Sequence, residues 1–124
     1  MYRSIFLSLF AFSVGSFAIA AAEEWNPSTL SDRTIESIQE QTLVYHQCLD
    51  RELNGIREKI SDSRNATNRV LKQCEAQLDP IRDALVAEQV PTEIANRYLL
   101  RKRHQAARQV LKYMMFAQSR QESQ

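Results

Sequence analysis

The sequence predicts an all-α fold: a disulfide-stapled antiparallel helical hairpin plus a third long helix, together a small helical bundle. Three observations lead there. The 124 residues include only two glycines and three prolines, too little punctuation for a many-stranded sheet and suited to a few long helices. Apolar residues recur at three- and four-residue spacings, the period of amphipathic helices and of coiled-coil seams. The only two cysteines, Cys48 and Cys74, lie equally far in sequence from Ser61, inside a cluster of turn-favouring residues.

Taken in order, residues 1–22 read as a secretory signal peptide. Arg3 gives a basic start, Ile5 to Ala20 an apolar run, and Ala18-Ile19-Ala20 or Ala20-Ala21-Ala22 a small-residue cleavage pattern. The competing reading is an uncleaved anchor, but the run is shorter than the ~20 apolar residues of a span and contains Ser8, Ser13, Gly15 and Ser16. The remainder is expected to be secreted or periplasmic, as a single helical domain over residues 23–117 and a flexible polar tail over 118–124. In an oxidising compartment two cysteines form a disulfide more readily than they persist as thiols. A domain of this size has a modest core, so such a link matters.

Glu23 to Leu30, with Pro27, is an irregular lead-in. Ser31 or Asp32 can cap a first helix starting near Arg33. Its stripe is Ile35, Ile38, Tyr45, Leu49, Leu53, Ile56 and Ile60, with Thr42 in the gap and Cys48 on the edge. Gly55 is expected to weaken this helix by about 1 kcal/mol without stopping it. Ser61-Asp62-Ser63 then favours a turn, because these side chains compete for backbone hydrogen bonds.

The second helix carries Val70, Cys74, Leu78, Ile81 and Leu85. Folding back at residue 61 sets Val70 near Leu53, Leu78 near Tyr45 and Leu85 near Ile38, so the two stripes meet. One continuous helix would hold the cysteines ~39 Å apart, beyond any intrachain bridge. Asp79-Pro80 either kinks the second helix or restarts it at Asp79. Gln89-Val90-Pro91-Thr92 is a corner, with Thr92 able to cap a third helix running to Ala117. That helix has Ile94, Ala95, Tyr98, Leu99, Ala106, Val110, Leu111, Met114 and Ala117 on its apolar side, and Tyr113, Met115 and Phe116 widening the face at its end.

Charge is unevenly spread. Residues 23–62 hold nine acids and four bases, whereas residues 91–124 hold two acids and seven bases. On the third helix Arg97, Arg101, His104, Arg108 and Lys112 follow helical spacing and form one stripe, flanked by Lys102 and Arg103. Arg97, Arg101, Arg103, His104, Arg108 and Lys112 are therefore the candidate residues for binding an anion or a partner. The same charges would alternatively pair with the acidic first helix. Nucleic acid is not the expected partner, since no nucleic-acid-binding motif accompanies the stripe.

No catalytic, cofactor or metal set stands out. His46 and Cys48 sit two apart and point to different faces of a helix, and there is no Cys-x-x-Cys pair for redox work. Asn65-Ala66-Thr67 matches the glycosylation sequon, which matters only in a eukaryotic secretory pathway. The pattern points to a non-enzymatic binding or accessory protein acting through the third helix on another protein. The alternatives are a binder of anionic surfaces, such as lipid headgroups or cell-wall polymers, and a periplasmic enzyme inhibitor.

Overall fold

The computed structural model describes residues 30–56 and 58–124. The segment expected to be a signal peptide and the lead-in through Thr29 lie outside the described residues. Four α-helices follow in order: α1 Asp32–Gly55, α2 Ser63–Cys74, α3 Asp79–Ala87 and α4 Thr92–Glu122, with a single 3₁₀ turn, Glu75–Leu78, joining α2 to α3. All regular structure among the described residues is helical. The second arm of the hairpin is thus α2, the 3₁₀ turn and α3 in sequence.

Ser31 caps α1 through its hydroxyl, which accepts from the Thr34 N–H at 3.3 Å. The helix ends at Gly55, one turn before the expected end of its stripe. Ile56 takes an extended conformation (φ −71°, ψ 112°), so the chain leaves the helix axis and returns Ile60 to the core from a loop. Ile60 kept the spacing of the stripe without being part of the helix. Its N–H is satisfied by Gln121 Oε1 at 2.9 Å.

Asp62 starts α2 by accepting from the N–H groups of Arg64 and Asn65, both at 3.0 Å. This side-chain cap satisfies two of the donors that a helix N-terminus leaves free. The polar first turns of α2 are stabilised further by burial of Ala66, Val70 and Leu71. Buried Thr67 returns its hydroxyl to the Ser63 carbonyl at 2.7 Å.

Asp79-Pro80 acts one turn ahead of itself. Proline has no N–H, so Ala76 O cannot receive the usual α-helical bond from residue 80. The Asp79 N–H takes that carbonyl instead, which tightens Glu75–Leu78 into a 3₁₀ turn and lets α3 begin with Pro80 in its first turn. The result is neither a simple kink nor a separate helix with its own side-chain cap.

The hairpin closes as the cysteine positions predicted. Cys48 and Cys74 are disulfide-bonded with Cα atoms 5.8 Å apart, and both are buried. The two stripes share one core with Tyr45, Leu49, Leu78, Ile81 and Leu85 at its centre. At the far end of the hairpin, Glu88 accepts hydrogen bonds from the hydroxyls of Ser31 and Thr34, tying the end of α3 to the start of α1.

The corner after α3 is a Schellman motif. Gln89 N–H bonds Val86 O at 2.9 Å and Val90 N–H bonds Leu85 O at 3.1 Å, with Gln89 at φ 61°. Pro91, not Thr92, is the N-cap residue of α4, and no side chain caps that helix. From this corner α4 runs back along α3 and then α2, packing mainly on that arm and little on α1. It does not stop at Ala117. The helix continues to Glu122, because Gln118 is hydrogen-bonded to the Ser63 hydroxyl and Gln121 to Ile60. The segment expected to be a flexible tail therefore caps the loop between the first two arms.

Candidate anion-binding face

The buried residues of α4 are Ala95, Leu99, Ala106, Val110 and Met114. Two residues along an α-helix rotate a side chain by roughly 200°. Arg97, between Ala95 and Leu99, therefore points away from the core. So do Arg108, between Ala106 and Val110, and Lys112, between Val110 and Met114. All three are exposed, as are Arg101 and His104. Five of the six candidate residues thus share one solvent-facing side of α4.

Arg103 does not belong with them. Two positions from Arg101, it turns toward the arm, is half-buried, and lies 3.7 Å from Glu75. Its Nε is buried without a hydrogen-bond partner among the described residues, and so is the hydroxyl of Tyr45. Burial raises the pKa of Tyr45 above the usual phenol value, the Arg103 charge opposes that shift and Glu75 adds to it. The offset from Arg101 to Arg103 was legible in the sequence as a change of face.

The stripe does not pair with the acidic first helix among the described residues. The ion pairs there are Arg69 with Glu58, Arg82 with Asp79, and Arg103 with Glu75. Arg97, Arg101, Arg108 and Lys112 have no such partner among those residues, because α4 lies against α2 and α3 rather than along α1. Lys102 differs again: it is half-buried, with its ammonium 5.4 Å from the centre of the Tyr98 ring, a cation–π contact.

At the far end of α4 the expected apolar face is split. Met114 is fully buried, but Tyr113, Met115 and Phe116 are 47%, 58% and 63% exposed. Met115 and Phe116 lie beside the end of the cationic side of the helix, with Arg120 over the Phe116 ring at 5.8 Å. Met114 and Ala117 face the core there and Gln118 faces Ser63 of α2, so the intervening side chains are turned to other sides of the helix.

A second feature was not legible in the sequence. Where the start of α1, the end of α3 and the start of α4 meet, they leave an open groove of about 530 Å³. Leu30, Ile38, Leu85, Val90, Ile94 and Tyr98 line it, and Arg101 and Lys102 stand at one edge. Its walls come from three separate segments, so no local pattern announces it.

The disulfide is enclosed and offers no thiol chemistry in this state. His46 lies against Tyr45, with ring centres 5.9 Å apart. Among the described residues no group of three or more His, Cys, Asp or Glu side chains is placed to hold a metal ion. No described helix is long and apolar enough to cross a membrane. Asn65 of the sequon is exposed near the hairpin tip, while Thr67 is buried. Comparison with protein-family models, curated proteins and solved structures finds no match.

Proposed function

We propose that this is a small non-enzymatic binding or accessory protein, secreted or periplasmic, that docks an acidic partner protein on the exposed side of α4. The observation that carries this reading is the stripe of Arg97, Arg101, His104, Arg108 and Lys112, directed opposite the buried side of the helix. A solvated cationic row with no acidic partner among the described residues attracts anions at long range and loses that attraction as salt rises. The buried disulfide supports an oxidising location.

A second reading has its own support in the exposed Met115 and Phe116 beside the end of the stripe. Cations next to protruding apolar side chains suit an anionic lipid surface. One experiment separates these readings. The triple variant Arg101→Glu, Arg108→Glu, Lys112→Glu is compared with wild type for partner cross-linking in its native envelope or secreted fraction, for sedimentation with anionic vesicles, and for thermal stability. The protein-partner reading expects an unchanged Tm, loss of a salt-sensitive cross-link, and little vesicle binding by either form. Wild-type sedimentation with vesicles, abolished in the variant, would favour the lipid surface. A lowered Tm with cross-linking intact would make the stripe structural.

A further inference from the structure

The groove between α1, α3 and α4 has two chemically distinct parts. Its floor is aliphatic and aromatic, formed by Ile38, Leu85, Val90, Ile94 and Tyr98. One edge is cationic, formed by Arg101 and Lys102, and the uncharged polar groups among the described lining residues are the Gln39 amide and the Tyr98 hydroxyl. No carboxylate is among the described residues that line it. The cationic edge continues into a second hollow of about 190 Å³ bounded by Tyr98, Arg101, Lys102 and Gln105. The groove thus has an apolar trough and, adjoining it, a recess in which every charged group is a cation.

That combination discriminates between occupants. A purely apolar ligand covering the trough would desolvate two cations and return nothing to them, which is costly. A cationic ligand would be repelled at the same edge. An anionic amphiphile satisfies both halves at once: its head accepts charge-assisted hydrogen bonds from the guanidinium and ammonium groups, and its tail removes apolar surface from water. Lys102 already contacts the Tyr98 ring, which lowers the ordering its side chain must undergo on binding. The trough volume lies within the ~300–1,000 Å³ of small-molecule sites.

We propose that this groove is a binding site for a free, single-chain anionic amphiphile, of the fatty-acid or alkyl-phosphate class. The head group lies among Arg101, Lys102 and Gln105, and the tail lies along Ile38, Leu85 and Ile94. This site is separate from the outer face of α4: Arg101 borders both, whereas Arg108 and Lys112 belong to the outer face alone.

The test is a methyl-resolved NMR titration of the purified, disulfide-bonded chain with dodecanoate and dodecyl phosphate below their micelle concentrations. Dodecyltrimethylammonium serves as the matched cation. The methyls of Ile35, Ile38, Leu85, Val90 and Ile94 should shift together with either anion. The ammonium ligand should bind at least about tenfold more weakly, the scale of losing one charge-assisted contact. Lys102→Ala should weaken anion binding about tenfold on the same scale, while Arg108→Ala and Lys112→Ala should leave it unchanged. Ile94→Glu should abolish it. If Ile94→Glu does not fold, as judged by circular dichroism, the head-group comparison and Lys102→Ala decide alone.

Equal affinity for the ammonium ligand would overturn the proposal, as would shifts centred on the methyls of Met114 and Met115 at the far end of α4. Binding only to anionic vesicles, with none to the monomeric anions, would assign the anion chemistry to a membrane surface instead. Leu30 lines the groove, so the preceding segment, with Trp25, Glu23 and Glu24, is the competing occupant. Binding that appears only in Trp25→Ala would give the groove to that segment and reject the free amphiphile. Loss of partner binding in the Arg101, Arg108 and Lys112 variant tests the outer face, and Lys102→Ala leaves Arg108 and Lys112 in place, so the two proposals fail separately.

Discussion

Gln89 holds a left-handed backbone conformation, φ 61°, in which a side chain costs energy and glycine does not. It does so because the Schellman hydrogen bonds and the burial of Val90 fix the corner between α3 and α4. Gln89→Gly is therefore expected to stabilise the protein by about 0.5–1 kcal/mol, measured by chemical denaturation; a loss of stability would mean that the Gln89 side chain has a role of its own. Tyr45 presents a different case, a buried side chain whose hydroxyl has no partner among the described residues. Removing a buried, unsatisfied hydroxyl while keeping the ring is expected to be neutral or stabilising by up to about 1 kcal/mol. Tyr45→Phe tests this, and a clear destabilisation would show that the hydroxyl is satisfied, for example through a water shared with Arg103. The pH dependence has a definite sign. Burial raises the folded-state pKa of Tyr45 above its unfolded value, so its contribution is complete below the ordinary phenol range and is lost as pH rises through the folded-state value. Tyr45→Phe should remove that part of the alkaline loss.

At the scale of elements, the apolar spacing located α1, the second arm and α4, and the cysteine positions gave their antiparallel pairing. What it misplaced were ends. Ile60 continued the spacing of α1 although it reaches the core from a loop, since periodicity records which residues are buried and not by what backbone. Gln118 and Gln121 read as tail because they are polar, yet polar side chains are what satisfy the backbone and hydroxyl groups of a neighbouring loop. The five exposed stripe residues were legible from spacing alone, whereas the groove required three segments to be placed in space. Glu88 shows the same limit. No local pattern in the sequence marks it, yet it accepts from Ser31 and Thr34 and so joins the end of α3 to the start of α1. Those hydrogen bonds, Ser31 first, hold its pKa below the usual carboxylate value. A depressed folded-state pKa gives stability that is present above the unfolded value and disappears as pH falls through the folded one. Glu88→Gln should therefore flatten the acid limb of the stability profile below the ordinary carboxylate range. An identical acid limb in wild type and variant would show that this tie contributes nothing to folding.

For the whole molecule, the bridge between Cys48 and Cys74 joins α1 to the point where α2 gives way to the 3₁₀ turn. That placement bears on every interface of the bundle. α4 rests mainly on the second arm and hardly on α1, so α1 is held by its seam with that arm, by the bridge and by the Glu88 contacts. Constraining a 26-residue separation removes unfolded-chain entropy, for a stabilisation of roughly 3.5 kcal/mol. The double variant Cys48→Ala, Cys74→Ala should accordingly lower Tm by roughly 15–25 °C, given the usual sensitivity of a domain near 100 residues. Because α4 and the second arm keep their mutual contacts, the early loss should fall on α1, seen as faster amide exchange around Ile38 and Tyr45 than around Leu71 and Val110. Both sulfurs are buried, so reductant should act on the native protein only through opening of the seam, and the reduction rate should rise with denaturant. Fast reduction without denaturant, or a Tm shift of only a few degrees, would mean that apolar packing alone holds α1 and that the bridge is incidental to the fold.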